Sequence, residues 1–119
     1  MITTHEAENY SESIKEYDRI VKMWRYVIAI AIQDTITKPN KTYKQVKQDN
    51  VRYIFESVDF IKVCEFAELE ADYVRREFKD LKDPVKLKEI QQKLAGRKKI
   101  NNTRLIKTII ERLNYVSEN

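Results

Sequence analysis

Glycine occurs once in this chain, at Gly96, and proline twice, at Pro39 and Pro84, in 119 residues. Tight hairpins and bulges draw on residues that turn the backbone left-handed, so a chain this poor in glycine has little with which to build a sheet. It is rich instead in Lys, Glu, Ile, Leu, Gln and Ala, with 42% apolar and 35% charged residues. That is the composition of a helical protein with a well-solvated surface. The spacing agrees. Ile14, Tyr17, Ile20, Val21, Trp24, Val27, Ile28, Ala31 and Ile32 recur in steps of three and four, which lays one stripe along a helix. The expected fold is all-α: a compact bundle of five or six helices.

Start and stop signals divide the chain. Residues 1–10 read as a flexible polar tail and residues 11–119 as a single helical domain. Ser11 suits a cap for a first helix beginning near Glu12. From Tyr26 to Ile30 this helix is apolar on nearly every side, which marks it as central and covered on several faces. Its end is expected near Thr37, ahead of Pro39. Lys38 to Lys41 form a loop, and Thr42 opens a second helix with Tyr43, Val46, Val51, Ile54 and Phe55 inward. Ser57 or Asp59 caps a third. A fourth carries Tyr73, Val74, Phe78 and Leu81. Asp83-Pro84 opens a fifth, since Asp caps and Pro fits the first helical turn. Leu87, Ile90 and Leu94 face inward there, and Gly96 suits a left-handed cap. Asn102 caps a last helix, whose apolar face is Leu105, Ile106, Ile109, Ile110, Leu113 and Val116.

The stretch from Asp59 to Leu81 is the most informative about function. It reads as a short helix, a turn and a second short helix, the outline of a helix-turn-helix. Val63, Cys64 and Ala67 give the first helix the small residues that a crossing partner needs. Leu69 is an apolar plug for the turn, and Val74 packs back from the second helix. Glu68 departs from the pattern, because the backbone is expected to turn left-handed there and glycine is the usual choice. Glu70 and Asp72 also depart, since carboxylates early in the second helix repel phosphates. Arg75, Arg76 and Lys79 are the candidates to enter or flank a groove. The same residues also describe a plain αα-corner in a helical core, with Glu70 and Asp72 favouring the positive end of a helix.

Ser57, Asp59, Phe60, Val63, Cys64, Ala67, Leu69, Tyr73, Val74, Arg75 and Arg76 together resemble a stretch shared by short, mostly uncharacterised proteins of bacteriophages and prophages. Those relatives commonly carry Gly between the Ala and Leu, and Asp-Pro after the Leu. This chain has Glu68 and Glu70-Ala71 there. The resemblance covers 22 residues and implies a helix-turn-helix-like phage protein. It implies no established activity.

Charge supplies a second candidate. Residues 1–40 hold five Lys/Arg against six Asp/Glu, residues 41–80 eight against nine, and residues 81–119 ten against four. The last third thus carries the whole basic excess, a usable footprint for phosphate. Lys93, Arg97, Lys98, Lys99, Arg104 and Lys107 cluster about the joint before the last helix, and Arg97, Lys98, Lys99 and Arg104 are expected to hold phosphates. The alternative for this cluster is a solvated loop.

Other chemistry has little to stand on. His5 is the only histidine and Cys64 the only cysteine, so neither a zinc set nor a Cys–His pair is expected. A glycine-rich phosphate loop cannot be drawn from one glycine. No cofactor, metal or enzymatic activity is expected. The most apolar run, Trp24 to Ile32, is far short of the ~20 residues that span a bilayer, and a lone thiol fits a reducing cytoplasm. The expected function is a small cytoplasmic protein that binds double-stranded DNA, a homodimer through the C-terminal helix. The alternative is a protein–protein interaction or assembly module, with Glu65, Glu68, Glu70 and Asp72 as its partner surface.

Overall fold

The structure, a computed structural model, describes residues 4–96 and 102–118, with side chains over residues 12–39, 41–96 and 103–115. Its elements are α1 (Thr4–Thr37), α2 (Asn40–Glu56), α3 (Val58–Phe66), α4 (Ala71–Glu77), a 3₁₀ turn (Lys79–Lys82), α5 (Pro84–Ala95) and α6 (Asn102–Glu118). The fold is all-α, a bundle of six helices, with no strand among the described residues.

Each boundary has a local cause. Ser57 caps α3, its hydroxyl accepting from the Asp59 amide at 3.1 Å. Asp83 caps α5, accepting from the amides of Val85 and Lys86, with Pro84 in the first turn. The end of α1 comes two residues before Pro39, whose ring crowds a helical Lys38. Three boundaries differ from expectation: α4 ends at Glu77, so Phe78 caps it and Leu81 falls in the 3₁₀ turn, and the starts of α1 and α2 shift. α1 starts at Thr4 rather than near Glu12. α2 starts at Asn40, and its first turn is broken at Tyr43 (φ −115°, ψ 24°) before the regular helix follows. Gly96 also differs: its φ of −67° and ψ of −13° are right-handed, so it does not supply a left-handed cap.

The core is one cluster. Ile28, Ala29, Ile32 and Ile36 of α1 meet Ile54 of α2, Phe60 and Cys64 of α3, Val74 of α4 and Leu87 of α5. Phe60, Ile32, Ile54 and Leu113 have no exposed surface, and each such side chain contributes about 1.5–3 kcal/mol by leaving water. Thr35 is equally buried, with its hydroxyl donated to the Ala31 carbonyl at 2.8 Å.

Two packing expectations are revised. The aliphatic stripe of α6 closes this core: Ile106, Ile109 and Leu113 are buried against their own chain, and α6 packs mainly on α1. It is not left open to a second copy. Conversely, α1 is not covered on several faces. Tyr26, Val27 and Ile30 are exposed, although they lie in its most apolar stretch. α1 is about 51 Å long at 1.5 Å per residue, which accounts for most of the molecule's 62 Å extent.

Candidate nucleic-acid interface

The corner between α3 and α4 is built from four consecutive constraints. α3 ends as the Ala67 amide bonds back to Val63 at 3.0 Å. Glu68 then takes φ 54°, the only left-handed non-glycine residue described. The Leu69 amide returns to the Cys64 carbonyl at 2.8 Å, and Leu69 itself is 6% exposed. Ala67, Cys64 and Val74 show no surface at all. α3 and α4 are therefore two separate rods that meet at a buried plug, as the steric pattern requires. The left-handed residue falls at Glu68, where a glycine would ordinarily stand.

Neighbouring helices compensate for the missing glycine. The Tyr17 hydroxyl of α1 donates to the Glu68 carboxylate, and this bond, followed by the nearby charge, raises the Tyr17 pKa. Arg25 Nε donates to the Ala67 carbonyl at 2.8 Å, and its Nη1 reaches Asn114 Oδ1 on α6 at 2.9 Å. One guanidinium thus joins α1, the end of α3 and α6. Trp24 stacks at a tilt on Phe66 with ring centres 5.3 Å apart.

The three candidate cations beyond the corner, Arg75 and Arg76 on α4 and Lys79 in the 3₁₀ turn, separate in role. Arg75 turns inward. Its Nε donates to the Ile54 carbonyl at 2.7 Å and its Nη2 to the Ser57 carbonyl at 3.0 Å, with the guanidinium over the Phe60 ring. It joins α4 to the last turn of α2, through Ile54, and to the cap residue of α3, Ser57. Arg76 and Lys79 are exposed. Arg76 lies over the Tyr73 ring at 4.9 Å, and Tyr73 is itself 42% exposed. Glu77 is held by Arg112 of α6 at 2.8 Å. Glu70 and Asp72 are exposed at the start of α4.

Sequence periodicity did not single out the cluster beside this corner. Lys44, Lys47 and Arg52 of α2 and Lys82 of the 3₁₀ turn line a cleft of about 510 Å³, over an apolar floor of Val51, Leu81, Pro84 and Leu87. No carboxylate lines it. Lys44, Arg52 and Lys82 are exposed. Lys47 is 4% exposed, its Nζ donates to the Lys38 carbonyl at 2.9 Å, and burial lowers its pKa. Lys44, Lys47 and Arg52 share α2, but Lys82 comes thirty residues later, so the sequence alone did not join them.

Of the C-terminal candidates, Arg104 is exposed on α6. Arg97, Lys98 and Lys99 lie outside the described residues. Cys64 is fully buried, and its thiol is pushed up to about 12, chiefly by that burial. Among the described residues no group of His, Cys, Asp and Glu could hold a metal ion, and no helix is long and apolar enough to cross a membrane.

The chain matches no protein-family model, no curated protein and no solved structure.

Proposed function

We propose that this chain is a small helical protein that binds double-stranded DNA, of the phage type that its central stretch resembles, and that it works in the cytoplasm. The observation that carries this reading is the run of exposed cations at the far end of the corner. Arg76, Lys79 and Lys82 follow in steps of three, with the intervening Asp80 paired to Lys86 at 3.4 Å, and Lys82 shares with Lys44 and Arg52 a cleft bare of carboxylates. α4 presents Tyr73 and Arg76 outward on a fixed corner, and the cleft supplies phosphate contacts on its flank. Glu70 and Asp72 repel phosphates at the other end of α4, so charge alone sets which end meets the duplex. Arg75 positions α4 on α2 and contacts no DNA. Arg104 is exposed on α6 and, with Arg97, Lys98 and Lys99, belongs to the third of the sequence that carries the basic excess.

The test is fluorescence anisotropy with duplex DNA of mixed sequence at low and moderate salt. Salt-sensitive binding at micromolar protein is expected, and its absence rejects the proposal. The pair Arg76→Glu and Lys79→Glu should abolish that binding while leaving helicity intact. Binding that survives both reversals places the interface elsewhere.

A further inference from the structure

We propose that the cleft between α2, the 3₁₀ turn and the start of α5 binds a small amphipathic anion, a molecule with an apolar body and one carboxylate or sulfonate head. This goes beyond the DNA reading, which uses the cations of the rim and leaves the apolar floor unused. It does not rest on that reading.

The cleft holds about 510 Å³, within the range of small-molecule sites. α2 forms one wall, where lining residues follow at helical steps from Lys44 to Arg52. That wall is about 12 Å long at 1.5 Å per residue. Leu81 and Leu87, 4% and 7% exposed, close the floor, and Val51 and Pro84 complete it. The stems of Lys44 and Lys82 add methylenes to the same lining. An inorganic phosphate, or a stretch of nucleic-acid backbone, leaves this floor in water. An apolar body laid along it does not.

Charge fixes where the head lies. Lys82 Nζ is 5.2 Å from the centre of the Phe55 ring, and Phe55 is one helical turn from Arg52. Lys82 and Arg52 therefore stand at the same end of the α2 wall. Both are exposed, and neither makes an ion pair among the described residues. Asp49 and Glu56 share a smaller depression with Arg52, and neither pairs with it. Asp80 is held by Lys86, and Asp83 by the first amides of α5. Lys47 donates its Nζ to the Lys38 carbonyl, so it belongs to the wall. An anionic head between Lys82 and Arg52 meets two cations and, among the described residues, no carboxylate in the lining. A neutral amphiphile of the same length gains the floor without the cations.

Octanoate, below the concentration at which it forms micelles, is the probe, with the full chain and no DNA. Titration followed by NMR should show saturable binding, with intermolecular Overhauser contacts from the octanoate chain to the methyls of Val51, Leu81 and Leu87. Octanol should bind at least about tenfold more weakly. The same loss is expected for octanoate on Arg52→Glu with Lys82→Glu. Both positions are exposed, so circular dichroism should be unchanged. Gln48→Glu sets a carboxylate into the lining and should weaken octanoate but not octanol. Arg76→Glu with Lys79→Glu, the pair that tests DNA binding, should leave octanoate binding within about twofold, so the two readings fail separately. Four results overturn the proposal: no saturable binding of octanoate, octanol bound as tightly, binding indifferent to reversal at Arg52 and Lys82, or contacts to Val27 and Ile30 of α1 in place of the floor.

Discussion

Glu68 sits in a backbone conformation that costs an ordinary L-residue about 1–2 kcal/mol, and it keeps that conformation because Leu69 must turn back onto Cys64. Glu68→Gly removes the steric cost, whereas Glu68→Ala keeps it. Both lose the bond from Tyr17, so that loss cancels in the comparison. The glycine variant should therefore be more stable than the alanine variant by about 1 kcal/mol in urea unfolding. Equal midpoints would mean that the turn is not held left-handed in solution. Cys64 gives a pH signature. Its folded pKa is raised above the ordinary 9.0 to about 12, so the unfolded state loses its proton first. The stabilising contribution is complete below pH 9.0 and is lost as pH rises toward about 12. Between those limits stability should fall more steeply in the natural chain than in Cys64→Ala, as read from unfolding midpoints across alkaline pH.

Short helices need tertiary anchors, since α3 has nine residues and α4 seven, too few to hold alone in water. α4 is fastened to two neighbours through its last turn. Arg75 ties it to α2, and Glu77 ties it to Arg112 of α6. The Arg75 bonds are charge-assisted and half-buried, and they join three helices through the Ile54 and Ser57 carbonyls. Arg75→Ala should cost about 1.5–3 kcal/mol, and Arg75→Lys should not recover it, because an ammonium cannot span both carbonyls in one plane. Arg76→Ala, one residue on and exposed, should stay within about 0.5 kcal/mol. Chemical denaturation separates the two. Comparable losses would mean that the inward and outward assignments are wrong.

For the whole molecule, charge differs along the corner: Glu70 and Asp72 open α4, whereas Glu77 and Asp80 beyond it are paired with Arg112 and Lys86, beside the exposed Arg76, Lys79 and the cations of the cleft. If that cationic flank meets phosphates, the logarithm of the DNA binding constant should fall with the logarithm of salt by about 0.9 per contact. Arg76→Ala should then flatten the slope by roughly that amount. α6 has the opposite character. Its aliphatic stripe is closed onto α1, so its contribution is to hold the long helix in the bundle rather than to present a surface. Exposed apolar side chains are spread over other elements, among them Val58 and Phe66 of α3, Val85 of α5 and several along the outer side of α1.

The sequence determined what is local. Steps of three and four, a scarcity of glycine, Ser57, and Asp83 ahead of Pro84 were enough for an all-α bundle and for the starts of α3 and α5. The small residues at Cys64 and Ala67, with Leu69 between the rods, marked the corner and located its left-handed residue. Tertiary packing decided which way each side chain was used. Arg75 and Arg76 are neighbours of one type, yet a helix turns them about 100° apart, and only the position of α2 makes one internal. α1 and α6 both offer apolar stripes, but a stripe does not state what covers it. Lys44, Arg52 and Lys82 form one cleft because α2 packs beside the 3₁₀ turn. Periodicity is a property of a single segment, whereas burial and charge clustering belong to the pairs of segments that come together.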